Sequence, residues 1–280
     1  MTITGEVMIR ILEKITNAQR AEVSRKKKCV PVPELEKSPL FPVAVRPLSA
    51  SLPERNGYGI IAEFKKRSPS RGIINSSATP GEVCPRYFDA GASAVSVLTN
   101  GRFFGGSNDD LLQARAACEG AILRKEFIID EYQVIESKSI GADAILLIAD
   151  ILTGKEMRDL SRLASSLGME VLFEIHDTGG IDKLPGDARL IGVNSRNLDN
   201  FTIDMEIPEK IIGRLPEGSI RIAESGIDSP QKLLELRRAG FEGFLIGEMF
   251  MKQEDPGESC REFIESLNRL AAGDRVNNPL

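Results

Sequence analysis

The sequence predicts an α/β chain folded as a (β/α)8 TIM barrel with an N-terminal helical extension. Three observations point there. From Gly59 onward eight short apolar runs recur, at Ile60–Phe64, Ala94–Leu98, Ala121–Leu123, Ala144–Ile148, Glu170–Phe173, Leu190–Val193, Ile220–Ala223 and Gly243–Ile246. Helical segments lie between most of them, at Pro80–Ala90, Asp110–Cys118, Glu131–Ile140, Gly154–Leu167, Asp177–Leu184, Pro208–Gly213 and Ser229–Ala239, and Glu258–Ala271 follows the last. Gly91, Gly141, Gly168 and Gly240 stand just after helices, where a left-handed residue closes the last turn. Short continuous apolar strands suit a parallel sheet covered on both faces. Eight β–α units over about 220 residues fit a barrel whose usual size is about 250. The rival, a doubly wound open sheet, calls for a GxGxxG turn after the first strand, and none is present.

Ahead of the barrel, Met8, Ile11, Leu12, Ile15 and Ala18 repeat at helical spacing. Arg25-Lys26-Lys27-Lys28 ends that helix with cations at its C-terminus, where the dipole favours them, and reads as a solvated helix end. Six prolines between Pro31 and Pro53 describe short turns and extended pieces wrapping a surface. The expected organisation is a helical extension over 1–58, a barrel over 59–272 and a short tail over 273–280.

Composition narrows the function. The net charge is −5 and charged residues make up 28%, which argues against a nucleic-acid-coating protein. No apolar run approaches the roughly 18 residues that span a bilayer. The four cysteines, Cys29, Cys84, Cys118 and Cys260, are widely separated and suit reduced thiols in a cytoplasm. With His176 the only histidine, a His-rich metal centre is excluded, and proton transfer falls to Lys, Glu and Asp.

In a TIM barrel the active site lies at the C-terminal ends of the strands. The first strand ends in Glu63 and Lys65, which alternation puts on one face. The third gives Lys125, the fifth Glu174, the sixth Asn194 and the seventh Glu224. Each alone is an ordinary surface residue, but so many charges converging on one rim are expensive to bury unless they compensate one another and serve chemistry. Ser225 and Gly226 follow strand seven. Gly247 and Glu248 follow strand eight and open a short extra helix. Together they form the kind of corner that binds phosphate in this fold, with backbone N–H groups as donors and the Glu248 side chain turned elsewhere. Pro69, Phe104, Phe127, Leu146 and Leu198 could line a flat slot for an aromatic ring.

These segments resemble the indole-3-glycerol-phosphate synthase family. The matching motifs include IIAEFKKRSPSRG (60–72), FFGGS (103–107), ILRKEFIIDEYQ (122–133), FEIHD (173–177), IGVNSRNL (191–198), IAESGI (222–227) and FLIGEMFM (244–251). They follow the family's order throughout the barrel. The resemblance implies conversion of 1-(2-carboxyphenylamino)-1-deoxyribulose 5-phosphate to indole-3-glycerol phosphate, with loss of carbon dioxide and water, in tryptophan biosynthesis. It implies no cofactor or metal. It makes Glu63, Lys65, Lys125, Glu174, Asn194 and Glu224 catalytic, and Ser68 and Arg196 substrate contacts. Lys125 is expected as the acid of ring closure and Glu174 as a base. Lys65 is either a second acid or the partner of the substrate carboxylate. The expected partner is this small phosphorylated substrate, with no nucleic acid and no membrane, and the chain is expected to be a cytoplasmic monomer.

Two departures stand out: Glu126 where the family usually has Asp, beside Lys125, and a fifth helix, Asp177–Asp187, short and poor in helix formers. A related phosphate-binding isomerase would carry a Cys/Asp pair at the strand ends, which is absent here. A paralogue that binds without turnover would have lost a catalytic group, and none is missing.

Overall fold

The computed structural model describes residues 11–54, 57–197 and 201–277. Met8 and Leu198 lie outside them. Eight parallel strands form a closed barrel: β1 (Ile60–Phe64), β2 (Ala94–Leu98), β3 (Ala121–Lys125), β4 (Ala144–Ile148), β5 (Glu170–Ile175), β6 (Leu190–Asn194), β7 (Ile220–Glu224) and β8 (Gly243–Ile246). Each pairs with its neighbour in sequence, and β1 closes the ring on β8. Where the apolar runs end early, at Leu123, Phe173, Val193 and Ala223, the strands continue through the polar residue that follows. The extended strands carry Lys125, Glu174, Asn194 and Glu224 into the barrel.

Two-residue alternation sorts the core into two layers. Ile61, Ala121, Leu123, Leu146, Leu172, Leu190, Ile222 and Leu245 fill the barrel interior, and Ile60, Ala62, Phe64, Ile122, Ile145 and Phe173 pack under the helices. Continued by the same parity, the interior positions become Glu63, Lys125, Glu174, Asn194, Glu224 and Gly247.

Thirteen helices are described: α1 (Ile11–Cys29), α2 (Val32–Leu35), α3 (Leu48–Glu54), α4 (Pro80–Ala90), α5 (Gly101–Phe104), α6 (Asn108–Ala117), α7 (Glu131–Ser139), α8 (Gly154–Ser166), α9 (Thr178–Ile181), α10 (Ile207–Ile212), α11 (Pro230–Arg238), α12 (Glu248–Met251) and α13 (Pro256–Asn277). The four glycines expected to close helices all have positive φ. α9 is a single turn, because Gly179 and Gly180 weaken helix propagation there. The loop after β2 is not all loop: α5 forms in it, capped by the Asn100 side chain.

The extension is anchored by buried groups. Leu48 and Leu52 of α3 join the interior layer, and Glu170 accepts from the Ser49 amide and hydroxyl, at 2.8 and 2.5 Å. At the end of α1, Arg25, Lys27 and Lys28 are exposed as a solvated helix end expects, and Lys26 departs from it. Lys26 pairs with the buried Glu136 at 2.9 Å, and Lys27 with Asp130 at 2.8 Å. Glu136 also binds Arg124 at 2.6 Å, and Arg124 is 0% exposed. That guanidinium further donates to Thr99, Asn108, Ser137 and the Gln133 carbonyl, so its buried charge is fully met.

Candidate active site

Parity on the strands decides what faces the mouth. Arg124 and Lys125 are sequence neighbours, yet Arg124 turns outward under the helices and Lys125 turns inward. Its ammonium lies 3.0 Å from Glu174 Oε2 and in close contact with Glu224 Oε2. Asn194 Nδ2 donates to Glu174 Oε1 at 3.1 Å. Just past β1, Lys65 Nζ pairs with Oε1 of Glu63 on that strand at 2.6 Å, as their spacing anticipates. The six polar residues expected at the strand ends therefore meet in one cluster, arranged as two linked groups.

The electrostatics of the Lys125 group are uneven. Burial alone would lower the Lys125 pKa, but Glu174, Glu224 and Glu63 outweigh it and hold the ammonium firmly charged. Burial raises Glu174, yet Lys125, His176 and the hydrogen bonds from Lys125 and Asn194 bring it below the usual carboxylate range. For Glu224 burial prevails: Lys125 pulls its pKa down, but repulsion from Glu174 and Glu63 adds to desolvation and raises it. Glu224 Oε1 has no hydrogen-bond partner.

These groups floor a cavity of about 370 Å³ at the barrel mouth, within the range of small-molecule sites. Ser68, Pro69, Phe104, Phe127, Leu146 and Arg196 line it, with Ser225, Gly226, Gly247 and Glu248 at one corner. Phe104 and Phe127 face each other with ring centroids 5.8 Å apart. Leu198 falls outside the described residues. At the corner, Ser225 and Gly226 both have positive φ, 66° and 73°, which turns the chain sharply after β7. Gly247 is required by space: a Cβ there would lie 2.8 Å from Glu63 Cβ and 2.5 Å from its Oε1. The Glu248 side chain is turned away to Arg71, at 3.0 Å, and Arg196, at 3.5 Å, which keeps two guanidiniums on the rim.

Glu126, where the family usually has Asp, makes its hydrogen bonds away from Lys125. It accepts from Thr99 Oγ1 at 2.8 Å, Asn100 Nδ2 at 3.1 Å and its neighbour's amide, Phe127 N, at 2.9 Å. Those donors lie outside the barrel interior, where parity sends residue 126, and Lys125 is oriented by Glu174 and Glu224 instead. Arg71, Lys252 and Ile203 also line the cavity and were not singled out from sequence. All three come from loop or helix positions that strand parity does not reach. Among the described residues no group of three or more His, Cys, Asp or Glu side chains is set to hold a metal ion. No helix among them is long and apolar enough to cross a membrane.

A family model described as indole-3-glycerol phosphate synthase matches residues 12–263. A protein of that description from Bacteroides thetaiotaomicron is 43% identical over 257 residues, covering 92% of this chain and 98% of its own. Similar proteins from Campylobacter curvus and Polaromonas naphthalenivorans are 42% and 39% identical, covering 88% and 91% of this chain and 95% and 98% of their own. The chain belongs to the indole-3-glycerol phosphate synthase family.

Proposed function

We propose that the mouth cluster carries out the family's reaction on this chain, with Lys125 as the acid of ring closure and Glu174 as the base. The chain is a carboxy-lyase of tryptophan biosynthesis: it converts 1-(2-carboxyphenylamino)-1-deoxyribulose 5-phosphate to indole-3-glycerol phosphate, carbon dioxide and water. The aromatic carbon bearing the carboxylate attacks the ketone carbon, and the ketone oxygen takes a proton. Loss of carbon dioxide leaves its bonding pair to restore the aromatic ring. The hydroxyl then takes a second proton and leaves as water, while a base removes the proton that completes the indole. Two protons enter and one returns, so each turnover consumes one.

The observation that carries the assignment is Lys125 held between Glu174 and Glu224, with Asn194 fixing Glu174 from the next strand. A charged ammonium is the acid the ketone oxygen needs, and an ionised Glu174 is the base. Lys65, paired with Glu63, is in place to meet the substrate carboxylate or to supply the second proton. Phe104 and Phe127, with Pro69 and Leu146, take the aromatic ring, and Leu198 belongs to the same slot in this reading. Ser225, Gly226, Gly247 and Glu248 bind the phosphate through backbone N–H groups and the Ser225 hydroxyl, while Ser68 and Arg196 contact the substrate. The net charge of −5 and the dispersed cysteines support a cytoplasmic enzyme working without nucleic acid.

The test is indole fluorescence on mixing purified protein with the substrate, for the parent chain, Lys125→Ala and Glu174→Gln. Each variant is expected to lose about 10²- to 10⁴-fold in turnover with its fold retained. Parent-like turnover in either one would overturn its role.

A further inference from the structure

The interior face of β5 does not stop at Glu174. Two residues on, at the same parity, His176 stands one layer higher, and two residues past the end of β4 stands Asp150. Ile148 and Glu174 are register partners, so the same alignment brings Asp150 beside His176. The imidazole lies between two carboxylates: Nδ1 is 3.2 Å from Asp150 Oδ2, and Nε2 is 3.4 Å from Glu174 Oε1. Neither approach is an aligned hydrogen bond, and both ring nitrogens are buried, so a small ring rotation is enough to engage either side. The His176 side chain is 9% exposed and that of Asp150 31%. Asp150 opens onto a second cavity, between α1 and the loops after β4 and β5, which also includes Arg20, Glu13, Asn17 and Asp177 and shares no residue with the mouth cavity. Water therefore reaches Asp150 by a route that bound substrate does not cover.

We propose that Asp150 and His176 form a proton inlet that refills Lys125 through Glu174 while substrate occupies the mouth. The need follows from the reaction assigned above, on which this inference rests. One oxygen takes two protons, and one more proton enters than returns. In the relay, the imidazolium gives its Nε2 proton to Glu174 Oε1. The Glu174 carboxyl then turns to present that proton to Lys125, whose Nζ lies 3.0 Å from Oε2, after Lys125 has donated to the substrate. The neutral imidazole, its remaining proton on Nδ1, then turns to present Nε2 to Asp150, which has taken a proton from water or a buffer acid and hands it over, restoring the imidazolium. No bond but these N–H and O–H bonds changes, and the proton source is bulk acid.

The electrostatics agree with a charged relay at rest. Burial works against the imidazolium, but the Asp150 contact and the charges of Glu174, Asp150 and Glu224 raise its pKa above the ordinary histidine value. Lys125 is the cation that faces it across Glu174, Asn194 is the neutral neighbour from β6, and Arg20, Glu13 and Asp177 are the charged groups around the outer cavity. Neither His176 nor Asp150 is among the residues lining the mouth cavity. Both act through Glu174.

The experiment compares the parent chain with His176→Asn and Asp150→Asn. The readouts are kcat, KM and the dependence of rate on imidazole-buffer concentration from pH 6 to 9. The expected result is a kcat roughly 10-fold lower in His176→Asn and a smaller loss in Asp150→Asn, each with KM within about twofold of the parent. Both losses shrink as imidazolium buffer is raised, because an outside acid replaces the missing inlet. The parent's alkaline decline, where the imidazolium gives up its proton, is absent from His176→Asn. Parent-like kcat in both variants overturns the relay, and so does a loss that no buffer restores. Asp150→Asn lies at the solvent side and guards against a folding defect in the buried variant. If the parent itself does not turn over the substrate, the functional reading fails; an active parent with unaffected variants removes only the relay.

Discussion

Gly192 carries no chemistry, yet Gly192→Ala tests the site's geometry directly. It sits on β6 two residues before Asn194, so its missing side chain faces the barrel interior. A Cβ built there overlaps Glu224 Oε1 and lies 3.1 Å from Glu224 Cδ and 3.4 Å from Leu172 Cδ1. Carbon contacts are comfortable at about 3.5 Å and beyond, so the carboxylate must retreat by about 1 Å. Glu224 is 1% exposed and borders open space only at the mouth cavity it floors, so retreat takes Oε2 off Lys125. Overpacking of this kind costs about 1–3 kcal/mol. The lower chain entropy of alanine in a strand offsets about 0.5–1 kcal/mol of that. The net loss is a Tm drop of a few degrees for a chain this long. Turnover should suffer more, because a displacement of about 1 Å at a reacting group costs about 10²-fold. KM should move little, since Gly192 does not line the mouth cavity. The assay is steady-state indole formation beside a thermal melt. Parent-like kcat in a folded Gly192→Ala protein would refute the claim that Glu224 must stay on Lys125.

Two further expectations rest on other parts of the molecule. Glu136 is desolvated, but Arg124 and Lys26 bring its pKa from 4.5 to about 2, so its folded-state value is depressed. That stability, about 3 kcal/mol, is present above the unfolded pKa and is lost as pH falls from about 4.5 toward 2. Glu136→Gln should therefore be less stable than the parent by about that amount in urea at pH 7, with the deficit roughly halved by pH 3 and nearly closed by pH 2; a deficit independent of pH would count against the ion pair. At the phosphate corner, crystals grown in sulfate should show an anion against Ser225, Gly226 and Gly247. An anion found elsewhere in the mouth, with only water at this corner, would move the phosphate site.

Most of the barrel was legible because its two signals are local: apolar runs for the strands and glycines for the helix ends. The site was legible for a related reason. Alternation extends each strand's interior parity by one residue, and Glu63, Lys125, Glu174, Asn194 and Glu224 follow from it. What failed to show were contacts made across the chain. Lys26 looked solvated because its partner Glu136 lies far off in sequence. Glu126 is adjacent to Lys125, but one residue is half a strand period, and its partners, the Thr99 and Asn100 side chains, come from another strand's end. Arg124 in an apolar strand gave no sign that five acceptors would surround it. His176 kept the parity of Glu174 and was legible on that ground, but its meaning depended on Asp150, which comes from another strand's loop.

Parity also cannot tell Glu174 from Glu224, since both are interior glutamates at strand ends. The difference arises from a count of charges. Glu63 and Lys65 close on each other, so Lys125 faces two carboxylates alone. One ammonium cannot fully offset two buried carboxylates, and the surplus must either find another cation or take up a proton. Glu174 finds one in His176, and a donor in Asn194, and stays ionised. Glu224 finds neither for Oε1, and its pKa rises. Two similar carboxyls are thereby driven apart into a base and a proton carrier, which is how environments divide acid from base in active sites. The direction of that division comes from β6, which places a donor on Glu174, and from the residue after β5, which places a cation beside it, with neither on Glu224.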